Sequence, residues 1–249
     1  MGESFGAYTI GMDAPVIKHI TSANIACGWH AGDPLVMDKT VRMAVDNGVG
    51  IGAHPGYPDL MGFGRRRMAC SLEEIRAYLI YQVGALWGFC TAHNTRLQHV
   101  KPHGALYNTT VKNDDMVRVI AEAIAAIDPT LYYVALAGAR AKKIARICEQ
   151  VGIRSVFEAF PDRAYTPQGE LAPRHIPGAV IKDPAEAALR AVKMAEKGEV
   201  VATDGSVLKL KAQTLCVHGD TPTAVALVQQ IHQALEHEGV VVAPMISGQ

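Results

Sequence analysis

The sequence lacks the features that define several large protein classes. No apolar run approaches the ~18 residues of a membrane span. Lys plus Arg number 24 and Asp plus Glu number 24, so no excess of either charge suggests a nucleic-acid surface. The first residues, MGESFGAYTI, contain neither the basic nor the apolar region of a signal peptide. We therefore expect a cytoplasmic protein without membrane or nucleic-acid partners.

Paired cysteines and the common catalytic motifs are also lacking. The five cysteines are scattered and none forms a CxxC motif, which favours a reducing compartment over a disulfide framework or zinc knuckle. The GxxxxGK[ST], GxGxxG, GxSxG and HExxH motifs do not occur. The chain therefore has no recognisable nucleotide-binding loop of its own.

What is present is a regular alternation of apolar strands and capped helices. Asp33 caps a helix that ends at Gly48, and the capping box at Ser71 opens a helix to about His93. Further helices are predicted over 114–127, 139–151, 185–198 (capped by Asp183-Pro184) and about 222–238. Strands are predicted at NIA, VGIGAH, LQHV, LYYVAL, SVFEAF, TLCVHGD and, last, VVVAP. The pattern predicts one α/β domain over 1–249, with a parallel sheet of about seven strands, open or closed into a barrel.

The unusual residues follow the strands. The segments ACGWHAGD, GAHPGYPD, KPHGALYN, EAFPDRAY and CVHGDTP all lie where a strand gives way to a helix. In a barrel or an open α/β sheet, these loops meet at one edge, where active sites lie. Four of the ten histidines occur here, each followed by Gly, Ala-Gly or Pro-Gly. We therefore expect His30, His54, His103 and His218 to share a site.

Each of these residues also has a simpler explanation. A loop histidine is often only a hydrogen-bonded surface group, Asp33 is explained as a helix cap, and Lys101 is explained as a solvated lysine. The run GFGRRR suits binding of a carboxylate or phosphate, more through Arg65 than through Arg67, for which a solvated basic turn explains the residue equally well. The repeated position of the histidines favours a shared site.

Five motifs, ANIACGWHAGDP, GAHPGYPDLMGFGRR, VKPHGALYN, EAFPDRAYTPQGELAPR and CVHGDTPTAV, closely resemble the LamB/YcsF family across nearly the whole chain. The resemblance implies an irregular TIM-like (β/α) barrel related to the glycoside hydrolase and deacetylase barrels. It implies a role in the ATP-dependent opening of 5-oxo-L-proline to L-glutamate, with 5-oxoprolinase subunits B and C. Family members begin with a strand reading Asp-Leu-Asn-x-Asp, whereas this sequence starts at Met1, so we expect the first strand to be truncated.

The implied chemistry needs an acid, a base and cations. ATP would be a co-substrate handled by the partner subunits, and this chain would hydrolyse the phosphorylated lactam. Whether the site holds a divalent metal and whether the chain forms a homo-oligomer stay open. The expected acid/base residues are His103, His54, Asp162 and Asp59, and the expected substrate-binding residues are Lys101, Arg65, Arg163, His30, Asp33, His218 and Tyr107.

Two other functions compete with this hypothesis. One is a metal-dependent deacetylase or carbohydrate hydrolase that acts alone, whose histidines and aspartates would converge within metal-bonding distance. The other is a non-catalytic scaffold subunit, for which the loop histidines need not converge. The position of the four histidines in space separates these hypotheses.

Overall fold

The computed structural model describes residues 1–219 and 223–245. Six parallel strands form one sheet in the order β1-β2-β3-β4-β5-β8, and two short strands pair as a separate hairpin, β6-β7. The bounds are β1 Ser22–Ala26, β2 Gly50–His54, β3 Leu97–Val100, β4 Tyr132–Leu136, β5 Arg154–Ala159, β6 Glu199–Val201, β7 Val207–Lys209 and β8 Thr214–Leu215.

Helices connect consecutive strands of the sheet, and the sheet curls into a half-barrel. Their bounds are α1 Asp13–Val16, α2 Pro34–Asp46, α3 Leu72–Ala92, α4 Gly104–Thr110, α5 Asp114–Ile127, α6 Ala141–Val151, α7 Pro184–Lys197 and α8 Ala224–His237, with a 3-10 turn at Ile17–His19. None of these described helices has the length and apolarity that a membrane span requires. The predicted α/β, TIM-like fold is confirmed.

The helix boundaries follow from local chemistry. The Asp33 carboxylate accepts from the Val36 amide and caps α2. Ser71 and Glu74 complete the predicted capping box of α3. Gly152 ends α6 with φ of 89°, a conformation that favours glycine. The predicted start of α8 falls on residues 220–222, which lie outside the described residues.

The predicted final strand is wrong. Residues 240–244 form no strand, so the described sheet has six strands rather than about seven. Val240 and Val242 pack instead against the apolar cluster between α7 and α8, while Val241 is exposed. Their β-branched side chains favoured a strand locally, but contact with the helix pair determined their place.

The first residues of the chain extend the β1 edge of the sheet. The Met1 amino group donates to the Asn24 carbonyl, and the Met1 carbonyl accepts from the Ala26 amide, a parallel pairing beside β1. Gly32 permits this approach, because a Cβ there would lie 2.8 Å from the Gly2 carbonyl oxygen. This contact places Glu3 on the edge where the strands end.

The inner face of the sheet carries polar residues as well as apolar ones. The His99 ring crosses over Gly52, where a Cβ would lie 2.0 Å from it, and reaches the Asn24 side chain at 2.9 Å. Burial and the charge of Lys101 lower the pKa of His99 to about 3. His99 is therefore a buried neutral histidine below the strand-end loops.

Candidate active site

The strand-end loops surround one cavity of about 1080 Å³ inside the half-barrel. Three of the four histidines singled out by the sequence line it: His54, His103 and His218. The fourth, His30, is fully buried and stacks on His103, with ring centroids 3.7 Å apart. The loops therefore bring the four rings to one end of the sheet, as their positions after strands predicted.

His30, His54, His103 and Glu3 form what we call the histidine cluster. His103 Nδ1 lies 3.1 Å from His54 Nε2, and the His54 Nδ1 atom lies 2.6 Å from the Lys101 carbonyl oxygen. Glu3 Oε1 lies 3.7 Å from His30 Nε2. Both ring nitrogens of His30 are buried and have no hydrogen-bond partner among the described residues.

Two glycines allow the histidine rings to pack this tightly. A Cβ at Gly64, whose φ is +63°, would lie 2.7 Å from His30 Cβ and 2.8 Å from His103 Cδ2. A Cβ at Gly56 would lie 3.0 Å from His30 Nδ1. The Phe63 carbonyl beside Gly64 accepts from His103 Nε2 at 2.8 Å. The GFG turn therefore fixes the ring of His103.

Burial determines the charge of this cluster. It lowers the pKa of His30, and burial together with neighbouring rings lowers the pKa values of His54 and His103. Burial alone would raise the pKa of Glu3, but the Met1 ammonium and His30 bring it to about 2. Glu3 is thus a carboxylate, and the adjoining rings are not all charged together.

Lys101, Glu158, Asp162 and His218 form a second group, which we call the ion-pair cluster. Lys101 Nζ donates to Glu158 at 2.7 Å, and both side chains are almost fully buried. Burial alone would lower the pKa of Lys101, but Cys216 and Glu158 beside it raise the pKa above its ordinary value. The predicted substrate-binding role of Lys101 therefore competes with an internal ion pair.

Asp162 meets His218 rather than the cavity. Its Oδ2 atom accepts from His218 Nδ1 at 2.7 Å and from the His218 amide at 3.2 Å. Burial alone would raise the pKa of Asp162, but the charge and hydrogen bonds of His218 lower it. The prediction that Asp162 itself exchanges protons with substrate does not match this geometry, because the carboxylate holds a histidine ring that lines the cavity.

Two other predicted aspartates serve local structure. Asp59 is buried outside the cavity lining and accepts from Arg66 and from the Gly62 amide. Its predicted acid/base role is therefore not supported by its position. Asp33 also lies outside the lining; besides capping α2, it accepts from the Gly6 amide at 2.8 Å.

The two predicted arginines both line the cavity. Arg163 is buried and donates to the carbonyls of Ala172 and Ala179, so it also holds the loop after β5 in place. Burial lowers its pKa to about 10, which leaves it cationic at neutral pH. The Arg65 guanidinium lies 5.2 Å from the centre of the Phe63 ring.

Two aromatic rings pack against the ion-pair cluster. The Lys101 ammonium lies 4.9 Å from the Phe160 ring and 5.7 Å from the Tyr107 ring. Phe160 in turn stacks near His218, at 5.7 Å between centroids. Tyr107 lines the cavity as expected, and burial raises its pKa well above the ordinary value.

Sequence reasoning missed two carboxylates, Glu3 and Glu158. Glu158 carried a usable signal, because it is the only acid in the apolar run SVFEAF, and a lone charge on a buried strand needs a partner. The signal for Glu3 was weaker, because its place depends on the pairing of Met1 beside β1.

A metal ion does not fit the histidine cluster as arranged. Ligand atoms of Glu3, His30 and His103 lie within 4.8 Å of one another, the one such group among residues 1–219 and 223–245. However, the rings of His30 and His103 are parallel within 5°, so their in-plane lone pairs do not converge on one point. Both nitrogens of His103 are also within hydrogen-bonding distance of Phe63 and His54.

Comparison with known proteins gives consistent matches over the whole chain. The model of the LamB/YcsF family matches residues 1–249. The chain is 54% identical over 245 residues to the A subunit of 5-oxoprolinase from Pyrococcus horikoshii, covering 98% of this chain and 95% of that protein. It is 51% identical to the protein of the same name from Alkaliphilus metalliredigens, covering 98% and 94%.

Two solved structures resemble this fold. The "Lactam Utilization Protein" from Thermus thermophilus superposes with a TM-score of 0.90 at 46% identity, covering 98% of this chain and 96% of that one. A "putative cellobiose-phosphate cleavage protein" from Enterococcus faecalis V583 has a TM-score of 0.53 at 16% identity, covering 93% and 90%. The second likeness concerns the fold alone.

Proposed function

The chain belongs to the LamB/YcsF family, and from this membership and the site geometry we propose that it is the lactam-hydrolysing subunit of an ATP-dependent 5-oxoprolinase. The overall reaction converts 5-oxo-L-proline to L-glutamate. The observation that carries the proposal is the convergence of His30, His54 and His103, from three separate loops, beside a cavity that His218 also lines.

An unactivated lactam carbonyl is a poor electrophile, and this explains the need for ATP. Phosphorylation of the lactam oxygen makes C5 reactive. Because the sequence contains none of the common nucleotide-binding loops, we assign that step to partner subunits B and C. The present chain then receives the phosphorylated lactam as its substrate.

The hydrolysis needs two water molecules. The first adds its oxygen to C5 and gives a proton to a base, and the C5–N bond then breaks as the ring nitrogen takes up a proton. The product is the γ-acyl phosphate of glutamate. The second water displaces phosphate from it, which yields L-glutamate and inorganic phosphate.

The residues divide these tasks between the two clusters. We assign His218 as the base for water, because Asp162 fixes its ring and the ring lines the cavity. Arg65 and Arg163 line the same cavity and supply positive charge for the carboxylate and phosphate groups. The histidine cluster supplies the proton for the ring nitrogen.

The two competing functions make different demands on the site. A metal-dependent deacetylase needs lone pairs that converge on an ion, which the stacked rings of His30 and His103 do not provide. A non-catalytic scaffold needs no convergence of histidines at all, yet three of the four line one cavity. The hydrolase proposal accounts for both observations.

The direct test is glutamate release from 5-oxoproline and ATP by the chain reconstituted with subunits B and C. Omitting the chain should abolish release, and His218→Ala should lower turnover by about 10²–10⁴-fold. His93→Gln is the matched control, because His93 lies at the C-terminal end of α3 and contacts Asp38. If His218→Ala releases glutamate at the wild-type rate, His218 is not the base for water.

A further inference from the structure

The hydrogen bonds of His54 and His103 fix where each ring carries its proton. His54 Nδ1 lies 2.6 Å from the carbonyl oxygen of Lys101, and His103 Nε2 lies 2.8 Å from that of Phe63. A carbonyl oxygen only accepts, so each of these two nitrogens must carry a hydrogen. A neutral imidazole has a single N–H, so in neutral rings His54 Nε2 and His103 Nδ1 are both bare.

These two bare nitrogens face each other at 3.1 Å, a hydrogen-bond distance, with the ring planes at 88°. Two lone pairs at this separation repel each other. Burial makes an unsatisfied polar contact costly. One additional proton converts the contact into an N–H···N hydrogen bond and satisfies all four ring nitrogens.

We propose that His54 and His103 hold one proton between them, and that this proton is the one delivered to the ring nitrogen of the lactam. The first part depends only on the geometry of the two rings. The second part rests on the proposed function.

The surroundings offset one positive charge but not two. The Glu3 carboxylate belongs to the same cluster and lies 3.7 Å from His30, which stacks directly on His103. The charge of Arg65 lowers the pKa of His103 and so disfavours further protonation. One carboxylate beside one shared proton therefore leaves the histidine cluster close to neutral.

Two other cations act on the pair from neighbouring elements. Lys101 follows β3, and its charge is compensated by Glu158 at 2.7 Å. The charge of the Met1 amino group, beside β1, also lowers the pKa of His54. The positive charges of Lys101 and Met1 thus favour release of the proton once an acceptor is present. Because Glu158 and Glu3 offset them, the pair of His54 and His103 still holds the proton until then.

The proton passes from the histidine pair to the lactam and is then replaced from solvent. When the C5–N bond breaks, its electron pair takes the shared proton, and His54 and His103 become neutral. Their bare nitrogens then face each other again, which drives uptake of a new proton from solvent. Both rings line the cavity, so the donor lies within the space that holds the substrate.

The test is nuclear magnetic resonance of the isolated chain labelled with ¹⁵N in histidine, prepared with a chelator at neutral pH. We expect a scalar coupling between His54 Nε2 and His103 Nδ1 across the hydrogen bond, and a strongly deshielded proton between them. Two uncoupled bare-nitrogen signals would overturn the proposal. So would stoichiometric changes of both signals on adding Zn²⁺ or Mn²⁺, because a metal would then occupy the contact.

One variant tests whether catalysis needs the shared proton or only a hydrogen bond to His54. In His103→Asn, the amide NH₂ can donate to His54 Nε2 without any extra proton. We expect turnover with subunits B and C to fall by about 10²-fold or more even though the hydrogen bond to His54 is kept. In the wild type, kcat should decline as rising pH empties the pair, and this decline should be absent in the variant. His93→Gln should keep both the coupling and the decline.

The two proposals fail in different ways. A coupling in the isolated chain with no glutamate release from the wild-type complex leaves the shared proton in place and refutes the oxoprolinase function. Glutamate release without the coupling leaves the function in place and refutes the shared proton. A His103→Asn variant with wild-type turnover would also refute the assignment of this proton as the catalytic acid.

Discussion

The histidine cluster and the ion-pair cluster satisfy their buried polar groups in opposite ways. In the ion-pair cluster, the Lys101 ammonium meets Glu158 and the Asp162 carboxylate accepts from His218, so each buried charge has a polar partner at 2.7 Å. In the histidine cluster, three imidazoles share one carboxylate, Glu3, which lies 3.7 Å from His30. The first arrangement fixes side chains, whereas the second changes its hydrogen bonding when a single proton is added.

The difference between the two clusters bears on the reaction more than on the stability of the fold. A buried ion pair contributes little net stability because desolvation opposes its attraction, but it holds both partners in one geometry. A pair of buried rings that shares one proton has no such restraint and can give that proton up to an acceptor. We infer that the ion-pair cluster orients the base for water while the histidine cluster supplies the acid.

The largest expected effect comes from breaking the ion-pair cluster. Glu158→Gln leaves the Lys101 ammonium buried without a carboxylate, so the free energy of unfolding should fall by about 3–5 kcal/mol. Urea unfolding measures this. The double variant Lys101→Met, Glu158→Leu removes both charges and should recover most of the loss. A single variant as stable as the wild type would show that the pair is not buried as described.

The second prediction concerns Asp162, a positioning residue that acts through His218. Asp162→Asn removes the carboxylate that holds the ring, so kcat should fall by about 100-fold, equivalent to about 2.7 kcal/mol. KM should stay unchanged, because Asp162 does not line the cavity. Steady-state kinetics of the reconstituted complex separates the two constants. Asp38→Asn, on α2 and in contact with His93, is the control. A change confined to KM would contradict the assigned role.

The third prediction tests how closely the histidine rings are packed. Gly64→Ala adds a Cβ against His30 and His103 and should cost about 1–3 kcal/mol of stability. Gly48→Ala is a matched control, because Gly48 has φ of +65° but no atom within 4 Å of an added Cβ. Both variants carry the left-handed backbone penalty. The difference between their urea midpoints therefore measures the contact with the rings, and equal midpoints would contradict that contact.

Local features of the fold were predictable from sequence because their causes lie within a few residues. The cap of Asp33 and the capping box at Ser71 were both predicted and both observed. The placement of histidines after strands was predictable too, since parallel strands end at one edge. These rules indicate where a side chain lies along the sheet.

The partners of those side chains were not predictable. Lys101 and Glu158 are 57 residues apart, and Asp162 and His218 are 56 apart, so only the curl of the sheet brings them together. The last predicted strand failed for a related reason, because the apolar residues near Val241 pack on a helix pair instead. Spacing alone does not distinguish a residue that faces substrate from one that holds its neighbour.

The last prediction compares the proton-holding pair with a histidine that stays neutral. His99 is buried against Asn24, and its pKa is about 3, below the ordinary 6.5, because of burial and the charge of Lys101. The unfolded chain therefore binds a proton that the folded chain does not, between these two values. Stability should fall as pH drops from 6.5 towards 3, by about 1.4 kcal/mol per pH unit from this residue.

Urea unfolding at several pH values measures that slope. His99→Gln removes the titrating group while keeping an amide that can reach Asn24, so the slope between pH 6 and pH 4.5 should decrease by roughly 1.4 kcal/mol per pH unit. Leu97→Met, a volume-conserving change on the same strand, should leave the slope unaltered. An unchanged slope in His99→Gln would mean that His99 takes up a proton in the folded protein. His99 would then be protonated when buried, and would no longer differ in this respect from the pair of His54 and His103.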